Sequence, residues 1–102
     1  MQIDSLISAL APREVVGHAP VEIRDLAYDA RAVEPGSLFF CVPGEQADGH
    51  DFAPQAVEAG AVALVVDRAL DVAVPQLVVE SARNAMPVAA DEFFGRPTEQ
   101  LQ

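Results

Sequence analysis

The residues best placed to do chemistry fall within residues 28–52, and the first of them are Tyr28, Asp29, Ala30 and Arg31. An aspartate two residues before an arginine can form a local ion pair, and an exposed pair of this kind contributes well under about 1 kcal/mol. The same spacing can also hold the guanidinium toward a ligand, because its forked N–H donors match a phosphate or the edge of a pyrimidine. The sequence alone leaves both interpretations open.

A second polar segment, residues 43–50, follows an apolar run. Pro43 cannot donate to a β-ladder and is expected to end the strand before it. Gly44 and Gly49 bracket the segment, and they either let backbone N–H groups approach a ligand or only permit the turns. Open α/β sheets bind ligands at the carboxyl ends of their strands, so position rather than chemistry makes this loop a candidate site.

The remaining polar residues do not predict a catalytic or metal-binding site. His18 and His50 are far apart in sequence, and no second cysteine or histidine accompanies either of them at ligand spacing. Asp48 and Asp51 are interpreted as a solvated loop residue and a helix cap rather than an acid–base couple. Cys41, the single cysteine, lies in an apolar strand and is expected to be a small buried hydrophobe.

Composition limits the partners and the compartment. The 102 residues predict one domain, with 6 arginines, no lysine and 16 carboxylates for a net charge of -10. Nucleic acid is therefore excluded as a partner, and so are sites that need a lysine. No apolar run approaches the roughly 18 to 20 residues that span a bilayer, and no signal peptide opens the chain, so we expect a cytoplasmic protein without a membrane partner.

The hydrophobic periodicity predicts an α/β fold, a small single domain with a mixed or parallel sheet flanked by about three helices. Helices are predicted at residues 3–10, at 52–59 between an Asp51 cap and Gly60, and from a Ser81 cap to about residue 94. Pro87 is expected to bend the last helix or to confine its regular part to 88–94.

Strands are predicted as two short pieces in 21–29 and as single strands at 37–42, 61–66 and 76–79. A type II turn at Pro35 and Gly36 precedes the central strand. The helix and glycine between strands 37–42 and 61–66 predict that these two strands are parallel. Residues 11–20 are expected to be a loop, and residues 67–75 an exposed connector.

Two runs of sequence resemble a known family. Residues 28–44 read Tyr-Asp-Ala-Arg-Ala-Val-Glu-Pro-Gly-Ser-Leu-Phe-Phe-Cys-Val-Pro-Gly, and residues 47–66 read Ala-Asp-Gly-His-Asp-Phe-Ala-Pro-Gln-Ala-Val-Glu-Ala-Gly-Ala-Val-Ala-Leu-Val-Val. They closely resemble the N-terminal domain of the Mur ligases, above all the MurE type, which acts on UDP-N-acetylmuramoyl-L-alanyl-D-glutamate. The resemblance covers nearly the whole chain, and residues 93–97 resemble the helix end just before that family's ATP-binding domain.

The resemblance implies a function in peptidoglycan-precursor synthesis. The parent enzyme joins an amino acid to the UDP-muramoyl-dipeptide with ATP and Mg²⁺ through an acyl phosphate, and its N-terminal domain holds the uridine diphosphate end. Residue by residue, the implied substrate-binding positions are Tyr28 and Ala30, framed by Asp29 and Arg31, together with the loop Glu45, Gln46 and Ala47.

The sequence departs from the family pattern at two of these positions, and it also lacks one of the family's motifs. Ala30 stands where the family usually has serine, which removes a hydroxyl, and Glu45 puts a negative charge near the expected diphosphate. The glycine-rich G-T-N-G-K-T-T loop is not present. The resemblance therefore implies a domain at 1–95 and a linker at 96–102 toward an absent ATP-binding domain, so ATP and Mg²⁺ would bind elsewhere and this chain alone would be inactive.

Two functions follow as hypotheses. In the first, the chain binds the UDP-N-acetylmuramoyl-dipeptide weakly, and the surface left by the missing domain can drive self-association, with Phe93 and Phe94 the expected contact. In the second, the chain is an engineered or standalone scaffold of this fold that acts as a structural or protein-interaction module without nucleotide binding.

Overall fold

The computed structural model describes residues 2–17, 19–42 and 48–94. Within these residues the chain forms three α-helices, five β-strands and two short 3-10 helices. In chain order they are α1 (Ile3–Leu10), β1 (Glu14–Val16), β2 (Asp25–Ala27), a 3-10 helix (Ala30–Ala32), β3 (Ser37–Phe40), a 3-10 helix (Gly49–Phe52), α2 (Ala53–Ala59), β4 (Ala63–Val66), β5 (Gln76–Val78) and α3 (Ala82–Phe93).

The strands form a single mixed sheet in the order β1-β5-β4-β3-β2. β2, β3, β4 and β5 are parallel to their neighbours, whereas β1 pairs antiparallel with β5 at the edge. Parallel neighbours place their carboxyl ends at the same edge of the sheet. The predicted α/β class and the parallel pairing of the central strands are confirmed.

Both faces of the central strand β3 are covered. Leu38 and Phe40 pack into a core with α1 and α3, whereas Phe39 and Cys41 pack into a second core with α2. All four residues of β3 are buried, which is why its sequence is a continuous apolar run rather than an alternating one. Cys41 is fully buried as predicted, and burial raises the pKa of its thiol to about 12.

The predicted helix ends are confirmed at α1, at Gly60 after α2 and at the start of α3. The Ser81 hydroxyl accepts a hydrogen bond from the Asn84 N–H at 3.2 Å. The cap assigned to Asp51 is wrong, because a 3-10 turn precedes α2 and Asp48 caps it by accepting from the His50 N–H at 2.9 Å. The periodicity could not separate this 3-10 turn from the helix that follows it.

Pro87 does not confine the regular part of the last helix to 88–94, because α3 runs through it from Ala82 to Phe93, and Pro87 itself is exposed. Proline forfeits one helical N–H bond. The opposite side of α3 buries Ala82, Ala85 and Ala89 against the core and packs on α1. The burial of that face maintains the helix despite the missing bond.

Two of the segments expected to be irregular are more ordered than predicted. Residues 11–20 contain β1, a strand whose three residues are too few to show a period. The 67–75 connector is partly packed rather than simply exposed, because Leu70 contacts the second core. The buried Gln76 amide also accepts from the Leu70 N–H at 2.6 Å and donates to the Leu70 carbonyl at 2.8 Å.

Two strand pieces are predicted in 21–29, and the structure forms one strand there, β2. The earlier part of this segment contributes an isolated bridge between Glu22 and Gln2. The turn before β3 is confirmed, since the Ser37 N–H donates to the Glu34 carbonyl at 3.0 Å and Gly36 has a φ of 92°. The strand predicted at 37–42 ends earlier than expected, because β3 stops at Phe40 and does not continue to Pro43. Pro43 itself and the linker at 96–102 lie outside the described residues.

Gly60 joins this turn to the end of α2. Its carbonyl accepts from the Gly36 N–H at 2.9 Å, and its φ is 120°. A Cβ at this position would lie 2.6 Å from the Pro35 Cα. Both the left-handed conformation and the close approach therefore require glycine here.

We expect Gly60→Ala to lower the free energy of unfolding by at least about 2 kcal/mol, because strain and a backbone clash add. Gly17→Ala is the matched control: Gly17 also has a positive φ of 69°, but its added Cβ would have no neighbour closer than 4.0 Å. Urea denaturation of both variants measures the difference. Equal losses would show that the contact with Pro35 contributes nothing.

Candidate functional site

A cleft of about 400 Å³ opens where β2 and β3 end. One side follows β2 and includes the 3-10 helix Ala30–Ala32, the floor comes from β3, and the other side begins at the 3-10 helix before α2. The lining residues are Tyr28, Asp29, Ala30, Arg31, Phe39, Phe40, Val42, Gly49, Phe52 and Gln55. The cleft therefore brings together four of the seven predicted site residues.

The first side is held by the Asp29–Arg31 pair. Asp29 Oδ1 accepts from the Arg31 backbone N–H at 2.9 Å, and Arg31 Nη2 donates to Asp29 Oδ2 at 2.9 Å. The hydrogen bonds from Arg31 hold the pKa of the Asp29 carboxyl below its ordinary value. The Arg31 side chain is still 85% exposed, so the pair orients the guanidinium and leaves it accessible from solvent. A local ion pair and a guanidinium held toward a ligand are therefore compatible interpretations of Asp29 and Arg31.

Aromatic rings form the base of the same side. The Tyr28 and Phe40 ring centroids are 5.2 Å apart at an angle of 42°. Phe40 is buried in the sheet, whereas Tyr28 is 45% exposed. Partial burial, and then the charge of Asp25, raise the pKa of the Tyr28 phenol, so it keeps its proton at neutral pH and can donate a hydrogen bond. Ala30 is buried and its side chain is only a methyl group.

The second side begins where the chain returns to the end of β3. The Gly49 N–H donates to the Val42 carbonyl at 3.0 Å, and a Cβ on Gly49 would lie 2.6 Å from the Val42 nitrogen. Glycine is needed at 49 for this contact with the chain's own backbone. Its neighbours in sequence Glu45, Gln46 and Ala47, the other predicted site residues, lie outside the described residues.

His50 connects this side of the cleft to the rest of the fold. Its side chain is buried, its Nδ1 lies 2.6 Å from Asp48 Oδ1, and its Nε2 accepts from the Asp67 backbone N–H at 2.9 Å. Asp67 follows β4, and its Oδ1 accepts from the Ala82 N–H at the start of α3 at 2.6 Å. We refer to Asp48, His50 and Asp67 as the histidine clamp.

The electrostatics of the histidine clamp depend on Asp48. Its carboxylate accepts from the backbone and the ring of His50 and lies 3.1 Å from Arg68 Nη2. The hydrogen bonds from the His50 backbone and ring, followed by the one from Arg68, hold the pKa of Asp48 at about 2, below its ordinary 3.8. The clamp therefore contains an ionised carboxylate across the physiological range.

Sequence reasoning missed Phe52, Gln55 and the structural role of His50. Phe52 and Gln55 are three residues apart at the start of α2, a spacing that places side chains on one side of a helix. The bond from Asp67 to His50 spans 17 residues, a distance that no local pattern reports. Within 2–17, 19–42 and 48–94, no three histidine, cysteine or acidic residues lie together as a metal site.

Comparison with known proteins shows the family to which this fold belongs. The family model described as "Mur ligase family, catalytic domain" matches residues 22–94. The chain belongs to the Mur ligase family. This Mur ligase domain is 50% identical over 99% of its length to the UDP-N-acetylmuramoyl-L-alanyl-D-glutamate--2,6-diaminopimelate ligase of Geobacillus thermodenitrificans, and 42% identical over 100% of its length to the ligase of the same name from Listeria innocua.

The Mur ligase domain spans 21% of the length of each of these two relatives. Among solved structures it is similar to MurF from Acinetobacter baumannii, with a TM-score of 0.78 and 27% identity over 87% of this chain and 20% of that chain. It also matches MurF ligase from Thermotoga maritima in complex with ADP, with a TM-score of 0.61 and 30% identity over 71% of this chain and 17% of that chain. The expected fold of a Mur ligase N-terminal domain is confirmed.

In the described part of the domain, no helix has the length and apolar character needed to cross a membrane.

The low pKa of Asp48 predicts an acid-sensitive contribution to stability. Because the pKa is lower in the folded chain, the contribution is complete above about pH 4 and is lost as the pH falls toward 2. We expect Asp48→Asn to remove about 1 kcal/mol of the stability difference between pH 6 and pH 2.5, allowing for solvent screening. Urea denaturation at the two pH values measures it.

The control is Asp51→Asn, an exposed aspartate in the same turn that should keep the full acid dependence. An unchanged pH dependence in Asp48→Asn would contradict the role given to the clamp carboxylate.

The clamp also predicts the tautomer of neutral His50. Nε2 accepts the Asp67 N–H, so the ring proton must reside on Nδ1 and be donated to Asp48. Long-range ¹H–¹⁵N correlation spectra should show a protonated Nδ1 and an unprotonated Nε2 for this ring. His18→Gln removes the other histidine and makes the assignment unambiguous. A proton on Nε2 would show that the bond to Asp67 is not formed in solution.

Proposed function

We propose that this Mur ligase domain holds the uridine diphosphate end of UDP-N-acetylmuramoyl-L-alanyl-D-glutamate for a ligase of the MurE type. The observation that carries the proposal is the cleft itself. It lies at the carboxyl ends of parallel strands, and Tyr28, Asp29, Ala30 and Arg31 line it. These are the same positions that the family resemblance implies for the uridine end.

In this proposal the side chains have separate roles. The exposed ring of Tyr28, supported by Phe40, offers an apolar surface to the nucleoside. The Arg31 guanidinium, oriented by Asp29, meets the diphosphate. Ala30 supplies no hydroxyl where the family usually has one, so we expect weak affinity.

The loop Glu45, Gln46 and Ala47 completes the proposed site by resemblance. Its neighbours Val42 and Gly49 both line the cleft, which supports this placement. The carboxylate of Glu45 would oppose a diphosphate and weaken binding further.

The MurE type and the added amino acid are proposed from the relatives. The curated relatives are named as diaminopimelate ligases, and identity to them reaches 50%. The MurF structures match at 27% to 30% identity. We therefore propose diaminopimelate as the amino acid added by the longer enzyme.

The sites for ATP and Mg²⁺ belong, in this proposal, to other parts of that enzyme. The chain has no lysine to meet ATP phosphates, and the described residues show no metal cluster into which Mg²⁺ would fit. This chain alone is proposed to be a binding domain without catalytic activity.

A second candidate, a protein-interaction module without nucleotide binding, is favoured by the exposed apolar side chains of α3 and its end. Phe94 at the end of α3 is 60% exposed and stacks edge-on against Phe93 with ring centroids 5.2 Å apart. Val88 on the same helix is 44% exposed. Exposed apolar groups of this kind are typical of contact surfaces.

An amide NMR titration with UDP-N-acetylmuramoyl-L-alanyl-D-glutamate, and with UDP alone, tests the first candidate. We expect shifts at residues 28–31 and 44–55. Ala30→Ser should tighten binding roughly threefold to tenfold, the contribution of one added hydrogen bond, and Glu45→Gln should tighten it by removing a repulsive charge. Ala59→Ser, on the exposed side of α2, is the matched control.

A well-dispersed spectrum without shifts at millimolar ligand, in the wild type and in Ala30→Ser, would contradict nucleotide binding. Line widths that grow with protein concentration and narrow in Phe94→Ser would then favour self-association.

A further inference from the structure

We propose that Phe52 and Gln55, on the α2 side of the cleft, recognise the pyrimidine base of the bound nucleotide, by stacking and by an amide contact respectively. The inference rests on the proposed function and deepens it, because neither residue belongs to the positions implied by the family resemblance. It assigns the two sides of the cleft to the two chemically different parts of one ligand.

The first observation is the exposure of Phe52. Among the described residues, the exposed large hydrophobic side chains are Tyr28, Phe52, Val88 and Phe94. Of these, Tyr28 and Phe52 line the cleft, at 45% and 40% exposure. Exposed aromatic area is unfavourable in water, and a flat base placed in the cleft would bury it.

The second observation is the position of Phe52 on a fixed support. It ends the 3-10 helix Gly49–Phe52, which begins at the Gly49–Val42 backbone contact and is capped by Asp48. The buried His50 within this turn is bonded to Asp67. The backbone that presents Phe52 is therefore held by the ends of β3 and β4, so the place from which its side chain projects is set before any ligand arrives.

The third observation is the chemistry of Gln55. It follows Phe52 by three residues, lines the same cleft, and is the one described lining residue with an uncharged side-chain amide. A carboxamide offers a donor and an acceptor side by side, which complements the adjacent N–H and C=O groups on the edge of a pyrimidine. A cationic side chain would instead favour the phosphates.

The charged residues lie on the other side of the cleft. Asp29 and Arg31 frame it after β2, and Arg31 is the lining cation among the described residues. A nucleotide has one flat, uncharged end and one anionic end. In this orientation the base lies against Phe52 and Gln55, the ribose of the nucleoside meets Tyr28, and the diphosphate extends toward Arg31.

The test compares UDP with inorganic pyrophosphate, which lacks the base, by NMR titration of the 102-residue chain. Phe52→Leu should weaken UDP binding about tenfold, in line with the loss of one base–aromatic stack. Gln55→Met, which keeps the length without the amide, should weaken it roughly threefold to tenfold. The affinity for pyrophosphate should not change in either variant.

The matched controls leave the cleft intact. Phe94→Leu makes the same change at an exposed phenylalanine outside the cleft, and Glu58→Gln changes an exposed residue on α2 that does not line it. Phe52→Tyr keeps the ring and should bind UDP like the wild type. Intermolecular NOEs from the uracil H5 and H6 protons to the Phe52 ring give a direct readout that does not depend on a variant.

The outcomes distinguish a failure of this inference from a failure of the proposed function. If the wild type binds UDP but Phe52→Leu and Gln55→Met bind equally well and the NOEs are absent, this inference is wrong and the proposed function stands. Equal losses of UDP and pyrophosphate affinity also overturn it, since they report a damaged cleft rather than a lost base contact. If the folded wild type binds no UDP at millimolar concentration, the proposed function fails and the inference fails with it.

Discussion

The hydrogen bonds of His50 are the interaction on which the cleft depends. The chain leaves β3 and must re-enter the fold at α2, and at that point a buried imidazole is bonded to Asp48 on one side and to the backbone after β4 on the other. An unpaired polar ring in this position would be costly, so its two partners determine where the turn can lie. Because Asp67 is also bonded to the start of α3, one side chain relates the ends of two strands to a helix.

The cleft also depends on the buried central strand, β3. β3 has its side chains covered on both faces, so its end is held firmly in place, and the residues that follow it meet the residues that follow β2. Phe40 shows how the core reaches the cleft: it is buried among the helices α1 and α3, yet its ring also supports the exposed ring of Tyr28. The cleft is therefore an extension of the core, with polar groups added at its two sides.

Much of this architecture could be predicted from local patterns. The bounds of α1, the glycine that ends α2, the cap of α3 and the parallel pairing of β3 with β4 all follow from caps, turn residues and apolar runs. The failures have physical causes. Pro87 was expected to bend the last helix or to confine its regular part to 88–94, but α3 is helical on both sides of it, because the apolar burial on the other side of the helix outweighs one lost hydrogen bond. β1 has three residues, and it is a strand only because β5 provides its partner.

The sequence by itself determined which segments are apolar and where the chain turns, because each of these depends on residues within a few positions of one another. Only the tertiary structure decided that Asp48 rather than Asp51 is the cap, that His50 bonds to a residue 17 positions away, and that Phe52 and Gln55 line the same cleft as Arg31. Contacts of that kind arise when the strand ends are brought side by side in the sheet, and the spacing of residues along the chain carries no record of them.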